Sequence, residues 1–289
     1  MIDWLVDPLT HGFTVRALIE IALLGVTSGA IGCWVVLYRI SYSAESLAHG
    51  MFPGLVGAAL LGLPLMLGGA TGIIIAGLLI AVVGRLSADA ADTAIAVVVT
   101  SLFGLGVLLA LSPDSPPGIQ ALLFGDPLGI TEGQLLVTAL LGATVLAALW
   151  FGHDRLLAVG FDGDAGRAGG PSPGLIQGLL LILVAVTVLV GVQGLGNLLV
   201  AAILVGPAAA ARLLTDRMKP MILLSAGIAV LSGVAGLYLS FHGRVAAGAA
   251  IVACILLAYL SAAFLAAAKT RLVRPTRKET PDEPVTQLV

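Results

Sequence analysis

Charge is scarce in this chain. Only 10% of its 289 residues are Asp, Glu, Lys or Arg, against about 25% in an ordinary soluble domain. So few charges cannot clothe a chain that is 59% hydrophobic, with a mean hydropathy of +1.10. A water-soluble globule is therefore excluded, and a polytopic membrane protein is expected. Cysteine is nearly absent too. Cys33 and Cys254 both fall inside apolar runs, so they read as small packing residues, not as a disulfide frame. There is no G-x-x-x-x-G-K-[ST] loop, which excludes ATP hydrolysis by that route. There is no H-E-x-x-H and no G-x-S-x-G, so an intramembrane hydrolase has no visible catalytic set. No basic–aromatic pattern points to nucleic acid. No cleavable signal peptide is evident, because Asp3 and Asp7 precede the first basic residue.

What the chain has in abundance is long apolar runs. Nine lie near residues 17–38, 50–67, 69–84, 93–111, 134–152, 176–193, 197–212, 221–241 and 245–268. Most are long enough to cross a hydrocarbon core, which takes roughly 20 helical residues. The uncharged stretch from Gly50 to Gly84 is too long for one span and is divided at Pro64 and Gly68-Gly69. The short run 197–212 contains Gly206-Pro207, which predicts a kinked or broken helix. Glycine is plentiful, at 37 residues, as suits closely packed membrane helices. The expected fold class is all-α, with residues 1–268 forming one membrane domain in lipid. Residues 269–289 form a polar cytoplasmic tail, expected to be disordered.

Orientation follows from Lys and Arg. With the first run crossing from outside to inside, Arg39, Arg85, Arg155, Arg167, Arg212, Arg217, Lys219, Lys269, Arg271, Arg274, Arg277 and Lys278 fall on the cytoplasmic side. Only Arg16 and Arg244 fall outside, a division of twelve to two. Nine spans, N-terminus out and C-terminus in, satisfy this count. The longest outer loop, 112–133, has no Lys or Arg at all.

Few residues in such a chain offer chemistry. Glu45 and His49 stand four apart, so on a helix their side chains share one face. Carboxylate and imidazole both bind zinc, manganese or iron. From the residues alone two readings stand: polar groups of a cytoplasmic turn, or ligands on an ion path. Pro53-Gly54 follows closely, and a proline there bends the backbone and frees a carbonyl. The polar inner loop 153–175 is either a solvated connector or the site of a short interfacial helix opening at Asp162, a good N-cap residue. His153-Asp154 in that loop is taken as solvated. The run Gly206–Ala211 permits close helix contact. Arg16 and Glu20, also four apart, read as a local ion pair, and His11 and His242 as incidental surface histidines.

Three segments taken in order resemble the membrane permeases of the zinc, manganese and iron ABC importers. The first begins at Arg16-Ala-Leu, ends its span at Trp34-Val-Val-Leu-Tyr-Arg39, and continues as Glu45-Ser-Leu-Ala-His49-Gly-Met-Phe-Pro-Gly54. The second is Leu198 to Arg217, and the third is Gly233-Val-Ala-Gly-Leu-Tyr238-Leu-Ser. The resemblance covers nearly the whole chain apart from its tail. It implies the fold of the cobalamin and siderophore importer permeases, assembled as a homodimer. It further implies two ATP-binding subunits and an extracytoplasmic metal-binding protein as partners, with the transported metal as cargo and no permanently bound cofactor. In that family Glu45 and His49 would line the metal path, although Asp is usual where this chain has Glu45. The loop carrying Asp162, Gly163, Asp164, Arg167 and Gly169 would couple to the ATPase. Importers of a metal chelate, or an ion carrier needing no ATPase, are the alternative expectations.

Overall fold

The computed structural model describes residues 10, 12–86, 91–113, 115–116, 118–119, 125, 129–161 and 172–273. Among them are ten helices: α1 (Gly12–Leu37), α2 (Ser41–Leu60), α3 (Leu65–Leu86), α4 (Ala91–Ala110), α5 (Glu132–Phe151), α6 (His153–Phe161), α7 (Pro173–Leu195), α8 (Asn197–Leu214), α9 (Met218–Gly243) and α10 (Ala247–Val273). Six of these, α1, α5, α7, α8, α9 and α10, are long and apolar enough to cross a membrane, while α3 and α4 contain shorter apolar stretches.

The turns follow local chemistry. Gly62, in the left-handed region at φ 66°, lets the chain reverse between α2 and α3. Gly68 and Gly69, expected to mark that break, lie inside α3 instead. The α5 start is a capping box. Thr131 Oγ1 accepts from the Gln134 backbone N–H at 3.3 Å, and the Gln134 Oε1 accepts from the Thr131 N–H at 2.9 Å. Gly196 alone separates α7 from α8, with φ 78°. That is where the chain breaks; α8 itself runs unbroken through Gly206 and Pro207.

α1 is the most enclosed of the membrane-length helices. Its glycine face explains why. A Cβ on Gly29 would lie 2.7 Å from the Ala226 Cα of α9, and one on Gly25 would lie 3.2 Å from the Val230 backbone nitrogen. One on Gly32 would collide with the Leu204 carbonyl of α8. The pairings 21 with 233, 25 with 230 and 29 with 226 run in opposite senses, so α1 and α9 are antiparallel. A second glycine seam joins α2 to α3. Gly54 meets Gly68 and Gly72 backbone to backbone, and Gly72 lies against the Met51 carbonyl. Trp34, Phe52, Met51 and Leu204 fill the interior, whereas Leu223, Leu231, Leu257 and Phe264 point outward from their helices. Apolar side chains on the outside of membrane-length helices suit lipid contact.

Several expectations need correcting. The second helix starts at Ser41, nine residues before the apolar run read from the sequence. A short helix, α6, spans His153–Phe161 within the loop read as polar; the helix expected to open at Asp162 lies outside the described residues. The ring of His153 is not solvated: it packs edge-on against Trp34, centroids 5.3 Å apart. α10 continues to Val273, past the expected start of the tail at residue 269. Residues 274–289, like His11, lie outside the described residues.

The turn after α1 is tied to α6. The Tyr38 hydroxyl donates to the Leu156 carbonyl at 2.9 Å, and burial pushes the phenol pKa above its usual value of 10.0. A raised phenol pKa means the folded state holds its proton more tightly than the unfolded chain. This contribution is complete below about pH 10 and is lost as pH rises through the folded-state pKa. Melting curves in detergent are expected to shift down above that pH, with the Tyr38→Phe variant lacking this part of the shift. The seams make a second prediction. Gly29→Ala and Gly72→Ala place a methyl group against backbone and are expected to cost about 1–3 kcal/mol, read as a lower melting temperature. Gly77→Ala, on the same helix as Gly72 but with nothing within 4 Å of its Cβ, is expected to be neutral or slightly stabilising.

Candidate functional site

Because α2 begins at Ser41, Glu45 and His49 are inside a helix. Counting 1.5 Å per residue from Ser41, Glu45 lies about 6 Å and His49 about 12 Å along it. The pair is thus carried into the helical body. Glu45 Oε1 stands 3.7 Å from His49 Nε2, as the four-residue spacing predicts. The Glu45 side chain is 53% exposed and that of His49 is 21% exposed. One end of the pair therefore faces an open surface and the other is sunk into the protomer.

What holds the imidazole was not legible in the sequence. Asn197, the first residue of α8 and fully buried, places its amide nitrogen 3.3 Å from His49 Nδ1. The Phe103 ring of α4 meets the imidazole edge-on, centroids 5.1 Å apart, and Phe52 lies against Phe103 at 5.6 Å. α4 comes this close because Gly106 has no side chain to hold it off Phe52 and Pro53. The only sequence signal for Asn197 is the Gly196-Asn197 break, which resembles an ordinary turn.

The Asn197 amide has two settings. With Nδ2 donating, Nδ1 of His49 accepts and the proton sits on Nε2, toward Glu45. Asn197 Oδ1 then has no hydrogen-bond partner, although it is buried. With the amide turned over, Oδ1 accepts from Nδ1–H, and the Nε2 lone pair points to the Glu45 side. The second setting satisfies the orphaned oxygen and gives the imidazole the tautomer that a metal ligand needs. Pro53 adds another acceptor. Lacking an N–H, it cannot bond the carbonyl four residues back, which is that of His49. One protomer supplies two ligand types here, and no group of three or more His, Cys, Asp or Glu side chains occurs among the described residues. Such a pair suits loose, transient holding of an ion better than a closed four-ligand site.

The remaining expected site residues divide. Pro53 and Gly54 lie in α2 just past His49, Gly54 serving the seam with α3. Gly206 and Pro207 lie in α8, where Gly206 makes room for Ile255 of α10. Asp162, Gly163, Asp164, Arg167 and Gly169 lie outside the described residues. Where that segment begins, a cleft of about 540 Å³ is lined by Tyr38, Arg39, Gly160, Phe161 and Arg212, among others. The ion pair expected between Arg16 and Glu20 does not form. Arg16 donates through Nε to the Ile130 carbonyl at 3.1 Å, and Glu20 accepts from the Thr138 hydroxyl at 2.8 Å.

A body of membrane-length helices, with a carboxylate and an imidazole paired on one of them, fits a membrane transport subunit. The chain belongs to the ABC 3 transport family, which matches residues 10–266. It is similar to the manganese transport system membrane protein MntC of Listeria innocua, with 30% identity over 94% of this chain and 96% of that protein. The manganese import system permease protein ScaB of Streptococcus gordonii is likewise 30% identical, over 92% of this chain and 95% of its own length. Among solved structures, PsaBC from Streptococcus pneumoniae in complex with Fab matches with a TM-score of 0.86 and 29% identity, covering 94% of this chain and 99% of that one. A structure described as a metal-chelate type ABC transporter, in an inward-facing conformation, matches with a TM-score of 0.64 at 15% identity, covering 90% of this chain and 86% of that one, a likeness of fold alone.

If Asn197 sets the His49 tautomer, Asn197→Ala is expected to weaken metal handling roughly tenfold or more, whereas Asn197→Asp, which keeps the acceptor, retains most of it. Metal accumulation in cells at matched membrane expression reads the difference.

Proposed function

We propose that the chain is the permease subunit of an ABC importer that moves a divalent transition metal, manganese or iron foremost, across the cytoplasmic membrane. The observation that carries this reading is the Glu45–His49 pair, set inside α2 with His49 braced by the buried Asn197. Two of the most similar relatives are named for manganese, and another, of Haemophilus influenzae, is named a probable iron transport system membrane protein. Carboxylate and imidazole suit manganese, iron and zinc alike, so selection among them rests on geometry and supply. Glu45 keeps the carboxylate of the family's usual Asp and reaches one methylene further.

In this reading the helices cross the membrane nine times, with the N-terminus outside and the C-terminus in the cytoplasm. Two copies face each other, so that two Glu45–His49 pairs together offer four ligands along one path. The exposure of Glu45 on one protomer supports that arrangement. The energy comes from a separate ATP-binding subunit, since the chain has no phosphate-binding loop of its own. The segment 162–170 is the element that would meet that subunit; the cleft lined by Arg39, Phe161 and Arg212 lies at the end of α6 from which it continues. An extracytoplasmic binding protein delivers the metal to the opposite end. The metal is cargo and no cofactor is retained.

The mechanism follows from the ligand count. An ion that sheds part of its water gains a carboxylate oxygen and an imidazole nitrogen at each pair. It leaves readily because neither pair closes around it. Glu45→Ala and His49→Ala are each expected to lower ATP-dependent uptake of 54Mn or 55Fe roughly tenfold or more, with the protein present in the membrane at wild-type amount. Uptake unchanged in both variants would remove the assignment.

A further inference from the structure

Glu20 is 1% exposed, on a helix that is otherwise apolar around it. Its Oε1 is satisfied by the Thr138 hydroxyl, but its Oε2 is buried with no hydrogen-bond partner. The carboxyl group opens onto a cavity of about 330 Å³ between α1, α3, α5 and α7, lined by Glu20, Thr131, Gln134, Thr138, Gln193 and Gly194 among others. The Gln193 amide nitrogen, on the same wall, is also buried without a partner. Among the described residues, no Lys, Arg or His lines the cavity. The nearest base along the chain, Arg16, is spent on the Ile130 carbonyl. A carboxylate, two amides and two hydroxyls thus line a partly open hollow that holds no cationic side chain among the described residues. Buried charge without a partner is expensive, and a group left this way calls for a counter-ion.

We propose that this cavity is a second cation position, taking a partly hydrated divalent cation on oxygen ligands. The assignment rests on the transport reading and adds to it a site at the N-terminal end of α1, remote from the cleft at its other end. Glu20 supplies the charge and the Thr138 hydroxyl a further oxygen. The Gln193 amide, whose nitrogen is buried, leaves its oxygen as a further acceptor on that wall. Water fills the remainder, for which the space is ample at about 30 Å³ per molecule. Gln134 and Thr131 are committed to the cap of α5 and fix that wall. Gly194 is part of the design: a Cβ there would stand 3.2 Å from Glu20 Oε1. The chain links the site to the first one, since Gln193 and Asn197 lie on either side of the single-residue break at Gly196. An all-oxygen set of one carboxylate with water suits manganese and other hard cations, whereas the imidazole at His49 also suits zinc.

The test uses the full chain in lipid nanodiscs, with Mn2+ alone as the probe and bound metal read by electron paramagnetic resonance. In a background of Glu45→Ala with His49→Ala, a Mn2+ site is expected to remain. Adding Glu20→Gln, which keeps the shape and the Thr138 bond, is expected to weaken it roughly tenfold, and Zn2+ is expected to compete poorly for it. Gly194→Ala, which keeps the charge and narrows the space, is expected to act in the same direction. It serves as the second measure if Glu20→Gln fails to give a monodisperse protein. No bound Mn2+ in the double background, or binding untouched by both Glu20→Gln and Gly194→Ala, overturns the second site. Uptake by the Glu45 and His49 variants decides the transport reading separately.

Discussion

Backbone meeting backbone is the contact on which this structure depends. In lipid, apolar side chains gain little by turning inward, so helices associate through close van der Waals fit and through polar contacts. Gly25, Gly29 and Gly32 give α1 a face with nothing projecting from it, and α8 and α9 close onto that face. Gly54, Gly68 and Gly72 do the same for α2 and α3. These seams set how closely the helices approach one another. The polar residues exploit that closeness. Gly106 lets α4 reach α2 so that Phe103 can lie against His49, and Gly194 leaves α7 room beside Glu20.

The fold was largely legible, for a physical reason. Backbone groups in lipid must bond within their own segment, so apolar runs of membrane length become helices almost without alternative. Eight of the nine runs fall on one helix each to within a residue or two at the ends, whereas the run 50–67 straddles the turn between α2 and α3; the number of true crossings is a separate matter from the number of helices. Where the reading failed, polarity was the cause. Ser41, Tyr42, Ser43, Glu45 and His49 fell outside the apolar run read as the second span, with a polar turn left open for them, yet they lie in the first three turns of α2. In water those residues would mark an end; here they are the part of the helix that faces polar company.

The candidate site was half legible. Glu45 and His49 could be found because spacing and chemistry coincide on one helix. Asn197 could not, since it comes from a helix 148 residues further on and an amide next to a glycine looks like any turn. Glu20 was noticed for the wrong reason. Its distance from Arg16 suits an ion pair, but Arg16 reaches the Ile130 carbonyl and Glu20 turns inward to Thr138. A four-residue spacing says that two side chains share a helix face; it cannot say that a third element offers either of them something better.

Gly196 has one more effect, and it is metric. Gln193 and Asn197 are separated by four peptide links, and such a segment spans at most about 15 Å even when fully stretched. With helical turn on one side of the break, the span is shorter still. The covalent chain therefore works as a ruler between the wall of the Glu20 cavity and the amide that braces His49. Helices can tilt and slide as the assembly changes shape, but this interval cannot exceed that limit. The greatest distance by which those two amides' backbones can draw apart was written into the chain when it was made.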